Sequence, residues 1–421
     1  MKYFRLALLG FVSVFTLARG QEEKSQQPPT EIPDFSNLDE YVYESRTKLI
    51  VGFRVLKGAK AQFYGRSTLA APETATDATT PNILRAYHDG TVSPDARTAG
   101  RSDSGGNPAL DPSNGSADTI ASDGKTNSWS YTDPKQINAD GSLAFHTYSA
   151  NVIDPLFHHK DAPISAGLDV AMSREMGKLF GSRVTWSIVA GVTLNDVTAD
   201  TTAKVQASLT TITDIYSLDG QTLPAAPYSS PSSSTATVLD TAGNAVLNSD
   251  GTTQTASTDT SILLNNKPVT RTTQTAVDST SVSTRWKLRG ANYTFRAGPA
   301  LWVPFTDRLR ASLSVGPALV YSGTDYTVIQ RYQPDTGAEI NNTSSDYTSH
   351  VLPGYFADAS LLFDLTDRTG FFAGAVFQSA GSYTQTLNTV SATNSATVDH
   401  YSTKIDFSNQ AGLRAGMTIR F

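Results

Sequence analysis

Apolar and polar residues alternate with a period of two along several stretches of the chain, and most of those stretches come in pairs. In ANYTFRAGPALWVPF, residues 291–305, Ala291, Tyr293, Phe295, Ala297, Leu301, Val303 and Phe305 share one face against Asn292, Thr294, Arg296, Gly298 and Ala300. After the tripeptide TDR the pattern resumes in LRASLSVGPALVYSG, with Leu309, Ala311, Leu313, Val315, Leu319 and Tyr321 against Arg310, Ser312, Ser314, Gly316 and Ser322. A period of two belongs to a β-strand. Two such arms around a three-residue turn make an antiparallel hairpin.

YFADASLLFDL, TDRTG, FFAGAVFQSAGSY reads as a second hairpin and ISAGLDVAMSREMGK, LFGS, RVTWSIVAGVTL as a third, while KLIVGFRVL and the terminal AGLRAGMTIRF supply single arms. The expected strands cover about 46–66, 164–176, 183–194, 287–305, 309–323, 351–365, 371–383 and 401–421, eight in all. NSWSYT, LAFHTYSA and KVQASLTTITDIYSL are either parts of loops, strands projecting beyond this set, or further spans that would raise the count to ten or twelve.

Between the hairpins run long tracts, at about 68–161, 196–284, 324–349 and 384–402, rich in Ser, Thr, Asp, Asn and Gly. Such tracts bury little apolar surface and read as loops. Short turns therefore alternate with long polar segments, as in an outer-membrane barrel with short periplasmic turns and long extracellular loops. No stretch after the N-terminus is long and apolar enough for a spanning helix. A soluble β-sandwich would alternate too. The aromatics Trp302, Phe305, Tyr321, Phe363, Phe371 and Phe421 gather near strand ends, as interfacial girdles do.

At the N-terminus Lys2 and Arg5 precede an apolar run from Leu6 to Leu17, with small residues at Ala18 and Gly20. That is the layout of a secretory signal peptide, residues 1–20, and the proline-rich 21–45 reads as a periplasmic linker. The chain has no cysteine, so no disulfide framework is available. It carries 33 Lys and Arg against 39 Asp and Glu, and an acidic balance argues against a nucleic-acid partner.

LRAGMTIRF, with Leu413, Met417, Ile419 and Phe421 in alternation, resembles the C-terminal signature of bacterial outer-membrane β-barrel proteins. The resemblance spans about 46–421 as architecture and identifies no functional subfamily. It implies an all-β fold, a closed antiparallel transmembrane barrel in the outer membrane, loops outside and both termini periplasmic. It further implies that Phe421 and the apolar positions before it are read by the barrel-assembly machinery. The expected partners are outer-membrane lipid and that machinery, with an extracellular ligand possible through the loops.

On this parity the face opposite the lipid collects Arg54, Asp169, Glu175, Arg296, Arg310, Asp358, Asp364, Asp406, Arg414 and Arg420. An eight-stranded barrel is only wide enough for side chains to fill. Charges there must be paired. They form either an ion-pair plug or, with more strands, a conducting path.

No catalytic motif, metal-ligand spacing or cofactor fingerprint is present; His158 and His159 are adjacent and so point apart on an extended chain. His350 and His400 enter strands from the loop side, where a lipid-modifying enzyme would need a serine partner. The sequence thus favours a non-enzymatic, surface-exposed barrel with a structural, adhesive or loop-mediated role. A small porin-like channel comes second and a lipid-modifying barrel enzyme third.

Overall fold

The computed structural model describes residues 46–70, 77–95, 123–179, 183–231, 233–237, 241, 243–259, 261–390 and 398–421. The predicted signal peptide and linker lie outside this set. Twelve strands among the described residues form one antiparallel sheet. In chain order they are β1 (Thr47–Lys57), β2 (Lys60–Ala70), β3 (Leu143–Asp161), β4 (Ser165–Lys178), β5 (Thr185–Tyr216) and β6 (Thr270–Pro304). There follow β7 (Leu309–Tyr332), β8 (Ile340–Asp364), β9 (Thr369–Ala380), β10 (Ser382–Val390), β11 (Val398–Asp406) and β12 (Gln410–Arg420).

The hydrogen-bond ladders close on themselves. At the end that carries the short turns the order is β1, β4, β5, β6, β7, β8, β9, β12 and back to β1. At the far end β3, β2, β11 and β10 continue the wall from β5. There β10 meets β8 through the Gln385 side-chain amide, which donates to the Asp346 carbonyl at 2.8 Å.

Two of the short turns share one chemistry. In each TDR tripeptide the threonine hydroxyl, Thr306 or Thr366, accepts backbone N–H bonds from the residues two and three ahead, at 3.0–3.3 Å. A hydroxyl that satisfies its own turn fixes the reversal locally.

Four strand pairs break at one level: 58–59, 162–164, 381 and 407–409. Gly58 has φ +117°, and a Cβ there would lie 2.0 Å from the Asn409 carbonyl oxygen, so the kink requires glycine. The backbone stays tied across this seam, Ala162 N–H to Ala59 O at 2.9 Å and Ala380 N–H to Phe407 O at 3.0 Å.

Polarity inverts at the seam. On the turn side of it Leu313, Leu361, Leu413 and Phe53 face outward and exposed, while Arg54, Asp169, Arg296, Asp358 and Arg414 are buried inside. Beyond it the interior is apolar, with Phe63, Val205, Trp286, Tyr326, Val328 and Ile405 packed in one cluster. Thr202, Lys204, Arg285 and Arg289 stand on its outer wall, partly or fully exposed.

The segments expected as loops are to a large extent strand. β5 runs on to Tyr216, β6 starts at Thr270, β7 and β8 are joined by residues 333–339, and LAFHTYSA opens β3. Their Thr, Val and Ala residues suit strands. The inward positions are often as small as Ala199 or Ala207, so little hydrophobic alternation shows in the sequence.

NSWSYT contributes Trp129–Tyr131 to a separate four-stranded sheet with Arg85–Tyr87, Gly90–Val92 and Tyr228–Ser229. This cap packs Tyr87, Val92, Trp129 and Tyr131 on Leu143, Phe145 and Tyr216 at the far ends of β3 and β5.

Candidate functional site

The bore is built from the inward positions of strands that meet only when the ring closes. Arg296 on β6 donates from Nη2 to both oxygens of Asp169 on β4, at 2.7 and 2.9 Å, and from Nη1 to Asp358 on β8. Arg414 on β12 reaches Asp358 at 2.9 Å and Asp169 at 3.3 Å. Two guanidinium groups and two carboxylates thus interlock, and the planar forks suit this shared geometry.

Arg54 on β1 joins through neutral partners: Thr193 Oγ1 at 3.3 Å and the Gln378 carbonyl oxygen. The Gln378 amide in turn donates to Thr294 at 3.1 Å. Rings lie beside the cations, Phe372 at 4.8 Å from Arg414 and Phe356 at 5.4 Å from Arg296.

Of the ten charges assigned to this face, five come together here: Arg54, Asp169, Arg296, Asp358 and Arg414. Arg310 pairs with Asp364 at the turn end, beside Arg420 around a cavity of about 330 Å³. Glu175 also lies toward that end, and its charge is felt by Lys48. Asp406 is elsewhere, beyond the seam on β11, where it accepts the Ser408 N–H at 2.8 Å.

Sequence reasoning missed Lys48, buried with its ammonium 4.6 Å from the Trp302 ring, and the neutral links Thr193, Thr294 and Gln378. Lys48 falls on the same inward parity as Ile50 and Arg54, which was the available signal. Trp302 is not part of an outer girdle: it is 7 % exposed, inside the bore, donating from Nε1 to Ser187 Oγ at 2.8 Å. Its neighbours Leu301 and Val303 take the outward positions, as strict alternation requires.

Beyond the seam the interior is filled by the apolar cluster, and some of the polar atoms among it are bonded internally, while the Tyr326 hydroxyl has no hydrogen-bond partner. Tyr401 OH and Ser67 Oγ both donate to Gln330 Oε1, at 2.9 and 2.8 Å. The cap then bridges the far opening. Asp89, fully buried, accepts from His146 Nδ1 at 2.6 Å and from Thr336 Oγ1 at 2.8 Å. His88 Nε2 lies 2.5 Å from the carbonyl of Ala338. The cap is thereby fastened to the β7–β8 turn.

In a nucleophilic triad the carboxylate and the hydroxyl occupy opposite ring nitrogens. Here both contacts are on Nδ1, and the cluster ties the cap to the β7–β8 turn. Nearby, Arg271 grips both oxygens of Asp214 at 2.6 Å, and Tyr87 OH donates to the same carboxylate. Burial pushes the Tyr216 hydroxyl up to about 12 and raises that of Tyr87, which keeps both protonated donors.

The remaining histidines are dispersed. His158 stacks on Trp286 at 4.5 Å and His159 is exposed, His350 lies against Tyr383 at 4.3 Å, and His400 Nδ1 is 2.6 Å from Asn388 Oδ1.

Asp399 on β11 is buried; its Oδ1 accepts the Thr68 N–H at 2.8 Å, and Oδ2 has no hydrogen-bond partner. Burial raises its carboxyl above the usual range. The folded state therefore holds the extra proton in the window between the unfolded and folded values. Stability falls as pH rises through that window. Asp399→Asn keeps the bond to Thr68 and removes the charge. Urea titrations are expected to show it more stable than wild type at pH 8 by on the order of 1 kcal/mol, with the gap closing at acid pH.

No protein-family model matches the chain, and no curated protein matches it. Among solved structures, the outer membrane protease OmpT of Escherichia coli aligns over 90% of this chain and 98% of its own, at 6% identity and a TM-score of 0.29. A FadL homologue of Pseudomonas aeruginosa aligns over 89% and 90%, at 8% identity and a TM-score of 0.16. Likeness at these scores adds nothing to what the closed ladders and the inverted polarity establish: an all-β antiparallel barrel.

Proposed function

We propose that the chain is an outer-membrane barrel of eight spans that anchors a rigid β-structured platform outside the cell, and that its role is contact with the surroundings. The twelve strands pair off into eight spans if each seam break is read as a bend within one span: β1 with β2, β3 with β4, β9 with β10 and β11 with β12. An apolar outer belt around a charged interior suits lipid outside, and a polar outer wall around an apolar interior suits water outside. The seam is then the membrane boundary. The short turns lie in the periplasm and the extended strands and cap lie outside.

The single observation that carries the reading is the filled bore, closed by the Arg296 and Arg414 knot, the apolar cluster and the cap in succession. Among the described residues such a filling leaves no continuous aqueous path, which supports an anchor over a channel. Planar-bilayer recordings of the purified protein are expected to show no steady conductance. Ion-selective openings of uniform size would sink the anchor reading and favour the channel.

A further inference from the structure

One stretch of the wall is split. The β3–β5 ladder stops at Val152 opposite Ala207, and the β4–β5 ladder begins only at Gly167 opposite Asn195. Between these points β5 residues 196–205 keep β6 as their ladder partner, because β3 turns away to follow β2 as far as Lys60 opposite Asp161. The foot of the split is stitched: Ser165 Oγ and Ala166 N–H donate to the Asp196 carbonyl and carboxylate, at 2.6 and 2.8 Å.

Above the stitch lies a cavity of about 490 Å³, with Ala199, Leu288 and Pro163 among its apolar lining and Lys160, Lys287 and Arg289 around it. Two carboxylates, Asp161 and Asp200, share the lining, and Asp325 stands opposite Arg289 across the β6–β7 ladder. Asp200 is already held in two bonds by Arg285, at 2.9 and 2.5 Å. Among the described residues Lys160, Lys287 and Arg289 have no ion-pair partner.

The split sits at the seam. Ile164, 64 % exposed, and Leu168 continue the apolar belt directly below it. Arg289 is four residues along β6 from the belt residue Tyr293, about 13 Å of strand. On the far bank Leu156 and Phe157 are exposed, with Tyr64 edge-on to Phe157 at 5.0 Å.

We propose that this split binds an anionic membrane lipid, its phosphate on Lys160, Lys287 and Arg289 and an acyl chain along Pro163 and Ile164. Cations at the edge of an apolar belt attract anionic headgroups, and the exposed Pro163, Ile164 and Leu168 beside them select an amphiphile over a bare anion. The assignment rests on the outer-membrane reading above.

The test refolds the full chain into phosphatidylcholine vesicles and into vesicles that also contain phosphatidylglycerol. A heat-modifiable gel shift in both reports insertion alone; its absence in both overturns the membrane reading and this assignment with it. Native mass spectrometry after transfer to detergent is then expected to find one phosphatidylglycerol retained per chain. The K160E/K287E/R289E variant, still heat-modifiable, retains at least ten-fold less, and K160R/K287R retains it as wild type does. Equal retention of phosphatidylcholine, or undiminished retention by the charge-reversed variant, overturns the proposal. So does inorganic phosphate binding as tightly as short-chain phosphatidylglycerol by calorimetry, which would make this a free-anion site.

Discussion

Arg296→Leu is expected to lower the stability of the refolded barrel by about 3–5 kcal/mol, because it leaves Asp169 and Asp358 buried with Arg414 as their remaining cation. The loss is read from the urea midpoint of tryptophan fluorescence in vesicles. Arg296→Lys recovers only part of it, since an ammonium cannot fork to two carboxylates as the guanidinium does. The double variant R296L/D169N is expected to regain most of the loss, because it removes one charge of each sign and leaves Arg414 paired with Asp358. If R296L unfolds at the wild-type midpoint, the knot does not hold the bore.

The second large effect tests the polarity inversion. Leu413 is 63 % exposed on the belt, and Leu413→Arg puts a charge in the proposed hydrocarbon, at a cost of about 2–4 kcal/mol near the midplane. Val277, 71 % exposed on the extended part of β6, faces water on the same reading, so Val277→Arg costs under about 0.5 kcal/mol. Both are exposed aliphatic side chains on strands of one sheet, and local structure gives no reason for them to differ. Equal costs in a vesicle-reconstituted titration would place the lipid boundary elsewhere than the seam.

Alternation alone located the belt strands well. The outward row of β12, Leu413, Met417 and Ile419, is exposed, and Arg414 between them is buried, as a period of two demands. The same rule saw the continuation of β5 from Asp196 to Tyr216 only in KVQASLTTITDIYSL, and there as one reading beside a loop. There the inward residues include Val197, Ala199 and Ala207, the outward ones are largely threonine, lysine and aspartate, and a Ser- and Thr-rich tract reads as loop by composition. The inward apolar side chains of this stretch are small while Phe63, Trp286 and Tyr326 on other strands supply the bulk of the cluster, and the amphipathic contrast shrinks with them.

Strand periodicity is a local property, set by backbone geometry, so the sequence determined the hairpins, the tight TDR turns and which residues of each belt strand share a face. Which face meets solvent is not local. It reverses at the seam, where the outer surroundings change, and only the closed sheet shows where that happens. The partners of the bore charges are not local either: Asp169, Arg296, Asp358 and Arg414 lie on four strands and face each other only after ring closure fixes the register. The split at residues 196–205 exists because β3 follows β2 and leaves β5, a choice between two neighbours that no single segment encodes.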